Sequence, residues 1–257
     1  MEELKAGSLT AARTGAGRDL VVLHSLLTDR HAFDPVLPVL AARFRITLVN
    51  LPGFHGAPAV DGTMAAYVAA VETAFTALSI GRDAVLMGNG FGGTVALGFA
   101  LAHQDRISKL VLCDAAAGFP EQGKQAFRVM AEKVAAGGLD SIVDIAANRV
   151  FPAAYLTTHP QAIAERRTVL LEIDPVAFRA ACALLVGADL VPGLPQLKVP
   201  TLVVCGELDQ ATPPALNRLI AERVPGARYV ELPQCGHCPP LEQPQVFLDA
   251  IGNFVGL

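Results

Sequence analysis

The sequence predicts an α/β protein with a mostly parallel central sheet, helices on both faces and a helical insertion. Three observations carry this. Up to Cys113, short and near-continuously apolar runs alternate with longer helix-like segments, as expected of strands covered on both faces. The alternation then stops, and it resumes only at Val199–Cys205. One apolar run also ends in a tight cluster of glycines from which a helix-like pattern starts at once: Val85-Leu86-Met87-Gly88-Asn89-Gly90-Phe91-Gly92-Gly93.

In chain order, Arg18–His24 reads as a buried strand and Ser25–Arg30 as a loop. His31–Phe44 fits a helix with Phe33, Val36, Leu37 and Leu40 on one side. Arg45–Leu51 is a second buried strand, and Pro52–Pro58 a turn-rich loop. Thr63–Leu78 is an alanine-rich helix capped near Gly62-Thr63. Asp83–Met87 is a strand, Phe91–His103 a helix and Ile107–Cys113 a fourth strand. Four helix-like segments follow without a strand: Lys124–Ala136, Leu139–Asn148, Gln161–Leu171 and Pro175–Leu185. Val199–Cys205 and Ala227–Leu232 are strands, and Gln243–Val255 is a terminal helix. Short links between strands and helices require parallel strands with helices on both faces. The expected organisation is a core of residues 1–114 and 195–257 with a helical cap, or lid, over 115–194. An insertion leaving the C-terminal end of a strand is placed to cover a site there.

Composition narrows the function classes. The 257 residues suit one large α/β domain or a core plus lid, and 52% hydrophobic content supplies a buried core. A net charge of −4 without a block of like charges argues against nucleic acid and against an anionic membrane surface. Met1-Glu2-Glu3-Leu4-Lys5 lacks the pattern of a signal peptide, and no apolar run reaches the ~18 residues of a membrane span. A cytoplasmic location with five reduced cysteines is the expectation.

Three segments carry chemistry. The glycine cluster has the shape of a nucleophile elbow, in which G-x-S-x-G lifts a serine above a sheet. Here the central residue is Gly90, which has no side chain. Asp209 lies in Gly206-Glu207-Leu208-Asp209-Gln210-Ala211-Thr212-Pro213, directly after a strand. His237 lies in Gln234-Cys235-Gly236-His237-Cys238-Pro239, after the last strand. His237 would take a proton from a nucleophile or a water, and Asp209 would hold its other ring nitrogen. The N–H groups of Phe91 and Leu26 are the candidate oxyanion donors. Asp114, after the fourth strand, is a less favoured acid, with a turn or cap role as its alternative. Ser25, His24 and His55 are candidate substrate contacts, each with a plain loop role as the alternative. Arg166, Arg167 and Arg179 are the insertion's candidate anion binders, against a solvated helix face. Cys235 and Cys238 flank His237, but four residues give poor geometry for a shared metal, so core packing is the preferred reading and no metal is assigned. Cys113 is read as core.

Over essentially its whole length the chain resembles α/β-hydrolase fold proteins. The elbow Gly88-Asn89-Gly90-Phe91-Gly92-Gly93 resembles the G-N-S-F/M-G-G form of meta-cleavage product hydrolases. His24-Ser25-Leu26-Leu27-Thr28-Asp29 is similar to the N-S-L-G-T-D of 3-oxoadipate enol-lactonases. Asn50-Leu51-Pro52-Gly53-Phe54-His55-Gly56-Ala57 is similar to D-x-P-G-x-G-x-S, departing at Asn50, His55 and Ala57. Gly236-His237 with Glu242-Gln243-Pro244 matches G-H-x-x-x-x-E-x-P. The resemblance implies an α/β-hydrolase fold and a triad order of nucleophile, acid, base. It implies a cytoplasmic hydrolase of aromatic-degradation type, acting on an ester, lactone or C–C bond beside a carbonyl. The expected partner is a small, carboxylate-bearing substrate, with no cofactor, nucleic acid or membrane, and a homodimer is left open.

Gly90 keeps three readings. It is a serine replaced to disable the enzyme, or a natural glycine in an enzyme where His237 and Asp209 activate water. In the third reading the chain is a non-catalytic ligand-binding protein on this scaffold. A lyase or isomerase using His237 as acid and base is a further alternative to hydrolysis.

Overall fold

A computed structural model describes residues 1–257. Eight strands form one sheet: β1 (Glu2–Ala6), β2 (Leu9–Thr14), β3 (Arg18–Leu23), β4 (Phe44–Asn50), β5 (Val85–Asn89), β6 (Lys109–Cys113), β7 (Thr201–Gly206) and β8 (Arg228–Leu232). Their order is β1-β2-β4-β3-β5-β6-β7-β8. β2 pairs antiparallel with β1 and β4, and every other pairing is parallel. The chain runs outward from β3 to β4 and then crosses back to β5, so the winding reverses between β3 and β5. Ligand crevices open at such a reversal, at the carboxyl ends of the strands.

The central strands are buried along nearly their whole length because both faces are covered. Eleven α-helices accompany them: α1 (Leu37–Leu40), α2 (Met64–Ala77), α3 (Phe91–Ala102), α4 (Glu121–Gly137), α5 (Val143–Val150), α6 (Ala153–Thr158), α7 (Ala162–Leu171), α8 (Pro175–Gly187), α9 (Pro214–Arg223), α10 (Pro239–Glu242) and α11 (Pro244–Val255). α2, α3 and α9 pack on one face. A 3-10 turn at Arg30–Val36, with α10 and α11, covers the other. α4 to α8 are the helices between β6 and β7.

Local chemistry explains the element ends. The Thr63 side chain accepts a 3.2 Å bond from the Ala66 N–H and caps α2. Asp174 does the same for α8, accepting from the N–H groups of Val176 and Ala177. The structure differs from the sequence reading in four places. The helix expected over His31–Phe44 is a 3-10 turn plus the four-residue α1. Pro35 and Pro38 remove two N–H donors within it, so a longer α-helix cannot form. The hairpin of β1 and β2 was not expected, and neither was α6. Leu139–Asn148 divides into a 3-10 turn, Leu139–Ile142, and α5. No helix is long and apolar enough to cross a membrane.

Candidate active site

Four strand ends meet at the winding reversal and its neighbours. β5 ends in the elbow. There Gly90 adopts φ 56° and ψ −118°, a conformation that strains any residue with a Cβ. Gly92 begins the close contact with β3: its N–H donates a 3.1 Å bond to the His24 carbonyl. A Cβ on Gly92 would lie 2.5 Å from that same oxygen, so only glycine allows this approach.

β7 supplies Asp209. Its Oδ1 accepts from the N–H groups of Ala211 at 2.7 Å and Thr212 at 3.1 Å. Its Oδ2 accepts from the Thr212 hydroxyl at 2.6 Å and from His237 Nδ1 at 2.9 Å. Burial works against the Asp209 charge, but His237 and the Thr212 donors outweigh it and hold the carboxyl below its ordinary range. An ionised acceptor there keeps the proton of the imidazole on Nδ1. His237 Nε2 is left as the acceptor, and it faces the Ser25 hydroxyl at 3.2 Å.

The loop after β8 holds His237 from three sides. Glu242 accepts the N–H groups of Gly236 and Cys238, both at 2.8 Å. Asn89 donates to the His237 carbonyl at 3.0 Å, and the His237 N–H donates to the Val150 carbonyl of α5 at 2.9 Å. Burial raises Glu242 to about 7, although its bonds to the Cys238 and Gly236 N–H groups pull the other way. Cys235 and Cys238 are fully buried in the core, where burial pushes their thiols up.

Asp114 stands behind this arrangement rather than on His237. Its Oδ1 accepts from the Gly206 N–H at 2.8 Å. Burial, and then the neighbouring Asp209 charge, raise its carboxyl well above the ordinary range, which favours its protonated form.

The oxyanion candidates also converge. Phe91 is the first residue of α3, where a helix leaves its N–H groups unpaired, and neither Phe91 nor Leu26 donates a backbone hydrogen bond within the chain. Both line a small cavity with Ser25, Gly90, His237 and Arg149. Its volume is about 20 Å³, room for one or two waters. Phe119, Arg149 and Ala211 also line an outer cleft of about 400 Å³ between α4 and α9. Arg149 therefore stands at the neck between cavity and cleft.

Two expected substrate contacts lie outside the cavity. His24 is buried behind the loop: Leu51 N–H donates to its Nε2 at 3.1 Å, so its Nδ1–H donates to the Ser25 carbonyl at 2.9 Å. Burial lowers His24 to about 4, which makes it a neutral strut under Ser25. His55 pairs with Asp29 at 3.0 Å, away from the cavity. None of the expected arginines lines the cavity either. Arg167 pairs with Asp140 at 2.7 Å, Arg179 is exposed, and Arg166 is buried over the Phe151 ring. Arg149 takes that position instead. It has no anionic partner: its only hydrogen bond is a long one, 3.4 Å, to the Ala211 carbonyl, and its Nε has none. A lone arginine on an amphipathic helix gives no sequence signal that separates it from a solvated one.

The comparisons with known proteins agree with this architecture. The family model described as "Alpha/beta hydrolase family" matches residues 20–250. A pimeloyl-(acyl-carrier protein) methyl ester esterase of Aeromonas hydrophila is 31% identical, with 97% of this chain and 100% of that protein covered. One from Aromatoleum aromaticum is 30% identical, covering 88% and 94%. The enol-lactonase structure from Burkholderia xenovorans superposes with a TM-score of 0.89 at 27% identity over 100% of both chains. A thermophilic esterase from Thermogutta terrifontis, with malate bound, gives 0.88 at 28% identity over 99% and 98%. The family match runs from β3 into α11, and the chain belongs to the alpha/beta hydrolase family.

Proposed function

We propose that the chain hydrolyses a small carboxylic ester or lactone that carries an anionic group. The observation that carries this reading is the state of His237. Asp209 occupies one ring nitrogen, and the other faces an oxygen nucleophile's position beside two unpaired N–H groups. His237 Nε2 takes the proton of the attacking oxygen and returns it to the leaving alkoxide. The N–H groups of Leu26 and Phe91 hold the carbonyl oxygen as it gains charge. α4, α5 and α8 serve as a cap, and their Phe127, Arg149 and Leu185, with Phe119 just before α4, close the cavity from above.

The anionic group follows from Arg149. Burial pulls this guanidinium below the ordinary arginine range, yet it stays charged and lacks a carboxylate of its own. A buried cation is stabilised when the ligand brings the opposite charge. The relatives support the bond broken: they are named for a methyl ester and an enol-lactone, and the Thermogutta structure holds a dicarboxylate.

The test is acid release from methyl half-esters of short dicarboxylic acids, from lactones and from neutral esters of matching length. His237→Ala is expected to lower kcat by ~10²–10⁴-fold. Turnover that survives this change undiminished refutes the reading.

A further inference from the structure

We infer that the nucleophile missing from the elbow is supplied by Ser25, on the opposite wall of the cavity. This rests on the ester-hydrolase reading and adds the covalent step. The Ser25 hydroxyl is buried and lies 3.2 Å from His237 Nε2, the one ring nitrogen left to accept. It also occupies the space an elbow side chain would need. A Cβ placed on Gly90 would collide with the Ser25 hydroxyl, and it would lie 2.6 Å from His237 Nε2 and 2.9 Å from the Ser25 Cβ. Glycine at 90 and the seated hydroxyl of Ser25 are therefore complementary: the absent side chain leaves the room the hydroxyl fills.

The surroundings of Ser25 suit the task. His24 Nδ1–H donates to its carbonyl at 2.9 Å, and His24 is itself anchored by the Leu51 N–H, so the loop is braced from behind. In an elbow the residue after the nucleophile donates one oxyanion hydrogen bond, and a second loop donates the other. With Ser25 as nucleophile the residue after it is Leu26, and the second donor is Phe91. The two loops exchange roles and the pair of donors is kept.

The step balances without a co-reactant. The Ser25 oxygen attacks the ester carbonyl carbon, its proton passes to His237 Nε2, and the carbonyl π pair moves to the oxygen between Leu26 and Phe91. The C–O bond to the alcohol breaks as that pair returns, and His237 gives the proton to the leaving alkoxide. Water then adds to the acyl group on Ser25, with its proton going to His237. Collapse expels the Ser25 oxygen, which regains a proton from His237.

The test uses a fluorophosphonate and the half-esters above. The Ser25 oxygen should displace fluoride from phosphorus, and peptide mass spectrometry should place the adduct on Ser25. Ser25→Ala should lose the adduct and lower kcat by at least ~10³-fold. The double variant Ser25→Gly with Gly90→Ser removes both the hydroxyl and the Cβ at position 25 that block the elbow, leaving only the His237 ring to shift, and places a serine there. It should recover labelling, now at position 90, and part of the turnover. An adduct elsewhere, or Ser25→Ala turnover within tenfold of the unaltered chain, overturns the inference. If His237→Ala abolishes turnover while Ser25→Ala does not, the hydrolase reading stands and the Ser25 step alone falls. If the unaltered chain neither turns over esters nor takes the label, both fall.

Discussion

Asp209→Asn should disable catalysis while leaving the fold intact, and the hydrogen bonds say why. Asp209 Oδ1 serves two N–H donors, Ala211 and Thr212. The asparagine carbonyl must take that side, which places its NH₂ where Oδ2 now accepts from His237 Nδ1 and Thr212. His237 Nδ1 is then forced to accept. Its proton moves to Nε2, which becomes a donor toward Ser25 and no longer a base. The Thr212 hydroxyl, freed from Asp209 Oδ2, can turn its single proton to the Asp114 carbonyl 2.7 Å away, which leaves its lone pairs to accept from the new NH₂. Loss of the correct tautomer costs ~10⁴-fold in kcat where this substitution has been made in a serine hydrolase triad, about 5.5 kcal/mol at 1.36 kcal/mol per decade. The assay is saturating-substrate turnover at pH 7, paired with thermal melting. Asp114→Asn is the control: an amide oxygen keeps the bond from the Gly206 N–H and the raised carboxyl already favours a neutral group, so kcat should change by less than about tenfold. Asp209→Asn turnover above one-tenth of the unaltered rate would refute the assignment. So would an Asp114→Asn loss as large as that of Asp209→Asn.

Arg149→Ala should raise KM for anionic esters by ~10–100-fold, leave neutral esters nearly unaffected and change kcat little, because a charge-assisted contact to a remote group is lost. Stability against pH should reflect two opposed groups. Glu242 is raised from an ordinary 4.5 to about 7, so the folded state holds its proton more tightly and this group's contribution falls as pH rises from 4.5 to 7. His24 is lowered from 6.5 to about 4, so its contribution is present above 6.5 and is lost as pH falls toward 4. Glu242→Gln should therefore expose the His24 slope, giving a melting temperature that climbs more steeply from pH 4 to 6.5 than in the unaltered chain. An unchanged profile would count against the raised Glu242.

The buried strands were legible because two-sided cover writes them as unbroken apolar runs, as in Leu20-Val21-Val22-Leu23 and Val85-Leu86-Met87. The hairpin of β1 and β2 was not, because at the sheet edge Glu2-Glu3-Leu4-Lys5 carries charges and no clean alternation. Asp209 and His237 could be named because each follows a strand in a recognisable phrase, and the structure brings their side chains to 2.9 Å. The place of Ser25 could not be read: it meets His237 across 212 positions, and no local pattern encodes that approach. Arg149 was hidden for a different reason. Its significance lies in having no partner, and a sequence displays residues without their pairings.

The bond from the His237 N–H to the Val150 carbonyl joins the proposed base to the residue after Arg149, on the same helix. One short piece of backbone thus carries Arg149, the proposed reader of the substrate's charge, and also suspends His237, the proposed base. An outward swing of α5 would slacken His237 and withdraw Arg149 in a single movement. A ligand that drew Arg149 inward would brace His237 by the same lever. Under the roles proposed above, this linkage would make the site an interlock, in which the group held at the neck readies the chemistry behind it.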